Sequence, residues 1–129
     1  MIERISPPGV AAPRGPYSPA VRAGDFIFVS GQVAVDPATQ QLISGDIAVE
    51  TRQVLNNVKA LIEGCGATLA DVVKCGVYLG SGNDFAAMNA VYAEFFGEAK
   101  PARSTVVTGF AVPGIHVEID AIAYKPKGA

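Results

Sequence analysis

A chain of 129 residues, half of them hydrophobic and 17% charged, can bury a core of its own, and residues 1–129 are expected to form a single domain with no room for a second. Ten Lys and Arg against twelve Asp and Glu give a formal charge of −2, which leaves no basic field to draw a phosphate backbone and argues against a nucleic-acid partner. The apolar runs fall far short of the ~20 residues of a membrane span, and the opening Met1–Pro8 carries neither the apolar stretch nor the cleavage site of a secretory signal, so a soluble, cytoplasmic protein is expected.

The chain opens with Pro7, Pro8, Gly9, Pro13, Gly15 and Pro16, which impose an extended, irregular arm ending at Tyr17. Phe26-Ile27-Phe28-Val29 then reads as a strand, and Val33-Ala34-Val35 runs into the turn signal Asp36-Pro37, so the start is expected to be rich in hairpins. From Asp46 the period lengthens. Ile47, Val54, Leu55, Val58, Leu61 and Ile62 fall on one helical face, with Glu50, Arg52, Gln53, Asn57 and Lys59 largely elsewhere. Asp46 can cap this helix, and Gly64 or Gly66 can end it.

Val72 to Leu79 reads as a strand, Gly80-Ser81-Gly82 as its loop, and a second helix should begin near Asn83 or Asp84 with the stripe Phe85, Met88, Tyr92, Phe95 and Phe96 facing a core. Gly97 and Pro101 close it. Ser104 to Val107 and His116 to Tyr124 are β-branched, strand-like endings. Cys65 and Cys75 form no C-x-x-C pair and, with a single histidine in the chain, cannot build a standard zinc set, so two reduced thiols and no metal are expected.

The order strands, helix, strand, helix, strands has too few crossovers for a doubly wound sheet. It fits an α+β domain, a mixed β-sheet with two helices on one face. The sheet's other face then needs a cover, and copies of the same chain in closed symmetry would supply it.

Two places could carry chemistry. Strand alternation puts His116, Glu118 and Asp120 on one face of the last strand, with Val117, Ile119 and Ala121 on the other; the three ionisable groups read either as a solvated outer face or as a site. His116 and Glu118 offer a metal two ligands at most. Arg103, in a restrained loop entering the Ser104–Val107 strand, is either a surface charge or, through its planar fork, a clamp for a small carboxylate.

Gly15-Pro16-Tyr17-Ser18, Phe28-Val29-Ser30-Gly31-Gln32, Pro101-Ala102-Arg103-Ser104 and Val117-Glu118-Ile119-Asp120-Ala121-Ile122-Ala123 together resemble the RidA/YjgF deaminase family in order and spacing. Arg52 to Lys59 and Asn83 to Asn89 resemble that family's two helix starts, so the likeness covers nearly the whole chain. It implies a fold similar to the Bacillus-type chorismate mutase and a homotrimer with clefts between subunits. It also implies a cofactor-free deaminase that hydrolyses 2-imino or 2-enamine acids, of the 2-aminoacrylate and 2-iminobutyrate type, to keto acids and ammonia.

By the same resemblance Arg103 holds the substrate carboxylate and Glu118 handles the water. Tyr17, Ser30, Gly31 and main-chain groups at Thr105 surround the ligand. Two departures bear on substrate range: Thr105 stands where well-characterised members carry cysteine, and Gly80-Ser81-Gly82 replaces a more charged loop. Another enamine acid such as 2-aminomuconate, or a non-enzymatic binding or chaperone-like role, are the other readings that the family admits.

Overall fold

The computed structural model describes residues 1–128. Its strands in chain order are β1 (Ile2–Ile5), β2 (Ala20–Ala23), β3 (Phe26–Gln32), β4 (Val35–Asp36), β5 (Gln41–Leu42), β6 (Val72–Leu79), β7 (Ala102–Val107) and β8 (Val117–Tyr124). Two helices, α1 (Ile47–Gly64) and α2 (Phe85–Phe96), flank β6 in sequence. Six strands form one sheet in the order β1-β2-β3-β8-β6-β7, antiparallel except for the β6–β7 pair. The α+β class with a mixed sheet is as the sequence implied.

α1 starts where a cap was expected: the Asp46 carboxylate accepts the Val49 N–H at 2.9 Å. It runs to Gly64, and Gly66, at φ 87°, takes the left-handed stop. A Cβ at Gly64 would meet Pro7 at 2.5 Å, so this glycine also lets the N-terminal arm lie against the helix end. A short 3-10 turn, Gly82–Asp84, with the Ser81 hydroxyl accepting the Asn83 N–H, leads into α2, which Gly97 ends at φ 55°.

Both helices cover one face of the sheet. Val54, Leu55, Val58, Leu61 and Ile62 from α1 and Met88 from α2 are buried with Ile27, Val77, Val117 and Ile119, each contributing about 1.5–3 kcal/mol through burial. β8 alternates without interruption, with Val117, Ile119, Ala121 and Ala123 inward and Glu118, Asp120 and Ile122 toward the other face. That outer face also carries the exposed Phe26, Phe28, Tyr124 and Val106.

The irregular arm lies where the prolines put it, and before it Ile2–Ile5 pairs with Ala20–Ala23; β2 turns into β3 through Gly24-Asp25, with Gly24 at φ 61°. The start is rich in hairpins as expected: β3 continues to Gln32, and Val35–Asp36 pairs with Gln41–Leu42 in a separate hairpin. Three helical positions need correcting. Glu50 and Asn57, placed off the buried face by helical period, are buried because they have partners. Asn57 donates to the Val33 and Val35 carbonyls at 3.1 and 2.8 Å, and Glu50 accepts from His116. Phe85, expected in the core, is 46% exposed.

Candidate active site

The cavity that matters is built around a defect in the sheet. Between Val29↔Ala121 and Gln32↔Ile119, β3 advances three residues while β8 advances two, so Ser30 and Gly31 bulge out of the ladder. Ser30 is fixed there by its hydroxyl, which donates to the Ser18 carbonyl at 2.7 Å, and by its N–H, which donates to the Pro19 carbonyl at 3.0 Å. Its own carbonyl accepts the Gln32 side-chain amide at 3.0 Å. The bulge therefore ties the proline-rich arm to the middle of the sheet.

Glu118 lies against this bulge. A Cβ on Gly31 would stand 2.2 Å from Glu118 Oε2, so only glycine at 31 lets the carboxylate occupy its position. Tyr17, Ser30, Gly31 and Glu118 line one cavity of about 370 Å³, walled on its apolar side by Val33, Leu42, Ala111, Val112 and Ile115 and rimmed by Arg14. That volume lies within the ~300–1,000 Å³ usual for small-molecule sites. Tyr17 is placed by its hydroxyl, which accepts the Arg14 N–H at 3.2 Å, and by its N–H, which donates to the Gly15 carbonyl.

Burial pushes the Glu118 carboxyl above the ordinary carboxylate value, and the negative charge of Asp120 two residues along pushes it in the same direction. Asp120 is itself held by the Gly76 N–H and the Tyr78 hydroxyl, both at 2.9 Å. A half-buried carboxylate with a raised pKa facing a cavity is equipped to take a proton from water and give it back.

Arg103 is elsewhere. It is the second residue of β7, inside the edge strand and not in a loop before it, and its register partner is Cys75, a residue of the helix-covered face. Its guanidinium stacks 4.7 Å from the Tyr92 ring centroid and 5.8 Å from that of the half-exposed Phe85. Thr105 pairs with buried Val77 and faces the same way. Arg103 and Thr105 thus lie on the opposite side of the sheet from Glu118, and within one chain they do not share its cavity.

His116 also leaves the line drawn from alternation. It precedes β8, and its Nδ1 lies 3.0 Å from a carboxylate oxygen of Glu50 on α1. Among the described residues no cluster of three or more His, Cys, Asp or Glu could hold a metal ion, and both cysteines are free thiols. Nor, among the described residues, is any helix long and apolar enough to cross a membrane.

Sequence reasoning missed two features. Arg14 rims the cavity, and the available signal was its place three residues before Tyr17. On α2, Asn89 Oδ1 and the Tyr92 hydroxyl are buried without a hydrogen-bond partner among the described residues, and with Phe85 they share one face of the helix; helical spacing alone marked that face as core.

The profile of the family described as Endoribonuclease L-PSP matches residues 9–125. A RutC family protein of Pyrococcus horikoshii is 50% identical over 125 residues, covering 97% of this chain and 99% of its own. The 2-iminobutanoate/2-iminopropanoate deaminase of Dermatophagoides farinae is 41% identical over 118 residues, covering 92% of each. The crystal structure of RidA from the Antarctic bacterium Psychrobacter sp. superposes with a TM-score of 0.90 at 38% identity, covering 95% of this chain and 98% of that one.

Proposed function

This chain belongs to the Endoribonuclease L-PSP family, the RidA/YjgF family that its motifs resemble, and from that premise we propose that it is a cofactor-independent deaminase of 2-imino and 2-enamine acids. The observation that carries the reading is the Glu118 carboxylate, with its raised pKa, seated over Gly31 in a cavity shared with Tyr17 and Ser30.

An enamine acid tautomerises to the imine, whose C2 is already electrophilic. Glu118 takes a proton from water as the water oxygen bonds to C2 and the C=N π pair moves to nitrogen. That proton passes from Glu118 to nitrogen to give the neutral carbinolamine; Glu118 then takes the proton of the C2 hydroxyl and delivers it to the same nitrogen, and the C–N bond breaks with its electron pair leaving in ammonia as the C2 oxygen becomes the keto group. General-base assistance of this kind is worth ~10²–10⁴-fold.

Arg103 clamps the substrate carboxylate from a second copy of the chain. One chain cannot bring it to Glu118, because the two lie on opposite faces of the sheet. The outer sheet face, with Phe26, Phe28 and Tyr124 exposed, and the edge strand β7, with Val106 and Val107 exposed, are the surfaces a homotrimer would bury. Each site then lies between subunits. The description of the family as an endoribonuclease meets no matching electrostatics here: the chain is net acidic, and the cavity carries the Glu118 carboxylate.

The test follows decay of 2-iminobutanoate generated in situ by a threonine dehydratase. Wild-type protein should accelerate it, Arg103→Ala should lose about a hundredfold in kcat/KM, and Arg103→Lys most of the activity, since an ammonium lacks the bidentate fork. Full activity in Arg103→Ala and Glu118→Gln would overturn the assignment.

A further inference from the structure

We infer that Arg14 makes the cavity selective for imino acids carrying a second carboxylate; this rests on the deaminase reading and names its substrate class. Arg14 is the one cation among the described residues that line the Glu118 cavity. Arg103 is assigned to the carboxylate next to the imine carbon, which leaves the Arg14 guanidinium facing whatever the rest of the substrate carries.

Arg14 is held in place rather than simply exposed. Its Nη2 donates to the Gln40 carbonyl at 2.8 Å, and its other guanidinium N–H groups have no partner among the described residues. Gln40 sits at φ 61°, a left-handed conformation unfavourable for a residue with a Cβ, and three hydrogen bonds keep it there. Its N–H donates to the Asp36 carbonyl at 2.7 Å, and its side-chain amide donates to the Pro37 carbonyl at 2.7 Å. Its side-chain oxygen accepts the Ala12 N–H at 2.9 Å. The turn between β4 and β5 therefore grips the arm on both sides of Pro13, and its twisted residue presents the carbonyl that orients Arg14.

Charge and shape lead to the same ligand. A monocarboxylic imino acid would lay an alkyl tail along Val33, Leu42 and Ile115 and give Arg14 no anionic partner. A dicarboxylic one would run its methylenes along that wall and place its distal carboxylate at Arg14, where the remaining guanidinium donors suit a planar anion. The second negative charge also needs a cation close by, because the Glu118 carboxylate lines the same cavity.

The experiment compares 2-iminoglutarate with 2-iminobutanoate as substrates, and 2-oxoglutarate with 2-oxobutanoate as inhibitors. Wild-type protein should favour the dicarboxylic member of each pair by roughly tenfold. Arg14→Gln should collapse the ratio of the two kcat/KM values toward one, mainly through KM of the diacid, and Arg14→Lys should keep part of it. Equal wild-type preference for the two inhibitors overturns the inference without recourse to any variant, and so does an equal fall for both substrates in Arg14→Gln. Turnover of neither imino acid by wild type removes the deaminase reading, and this inference with it.

Discussion

Glu118 and Gly31 share one piece of space: a Cβ on Gly31 would lie 2.2 Å from Glu118 Oε2, 2.9 Å from its Cδ and 3.2 Å from its Cγ. The obstacle is the end of a flexible side chain and not backbone, so Gly31→Ala can be accommodated by swinging the carboxylate away. The fold should tolerate this at a cost of about 1 kcal/mol or less, while the aimed base is lost. We expect kcat/KM to fall by about a hundredfold with little change in Tm. A variant that retains activity would show that the carboxylate does not work from this position.

Glu118 also links stability to pH. Its folded-state pKa lies above the ordinary 4.5, so between those two values the folded chain binds more protons than the unfolded one, and stability falls as pH rises through that window. At neutral pH the ionised carboxylate is therefore a net cost, reduced by its partial exposure to solvent. Glu118→Gln should raise Tm at neutral pH and bring no gain below pH 4.5. Melting curves across pH check this, and a variant less stable than wild type at neutral pH would contradict it.

The helices were legible because their information is local: the period of Val54, Leu55, Val58, Leu61 and Ile62, the Asp46 cap and the glycines at 66 and 97 all act within a few residues. The first two strands were not. Ala20-Val21-Arg22-Ala23 is short and charged, and Arg22 is buried there only because its guanidinium reaches the Lys125 carbonyl at 2.8 Å, a hundred residues away. Glu50 and Asn57 misled for the same reason, since their partners, His116 and the Val33 and Val35 carbonyls, are set by tertiary contact. At the site, alternation on β8 gave the face of Glu118 directly. The face of Arg103 depends on its parallel register with Cys75, which no local pattern encodes.

Asp120 tunes the proposed base. Its charge is the second cause, after burial, of the raised Glu118 pKa, and it is held in place by the Gly76 N–H and the Tyr78 hydroxyl. Asp120→Asn can keep the bond from Gly76 while removing the charge. Because the base must be ionised to accept a proton, the acid limb of the kcat/KM profile reports its pKa. That limb should move to lower pH in Asp120→Asn. An unmoved limb would mean that another group sets it.

A site divided between copies makes a prediction that a site within one chain does not. Arg103→Ala retains Glu118, and Glu118→Gln retains Arg103, so each homogeneous variant lacks one half of every site. Co-expressed in equal amounts and allowed to assemble at random, a site contains an intact Arg103 from one copy and an intact Glu118 from its neighbour in about one case in four, and activity should recover to about a quarter of wild type. Size-exclusion chromatography with light scattering should report a trimer for each protein. If both halves came from the same chain, mixing would restore nothing, because every chain in the mixture carries one of the two lesions. The outcome separates the two arrangements even if either substitution also weakens assembly, since a weakened assembly lowers the recovered activity but cannot create it.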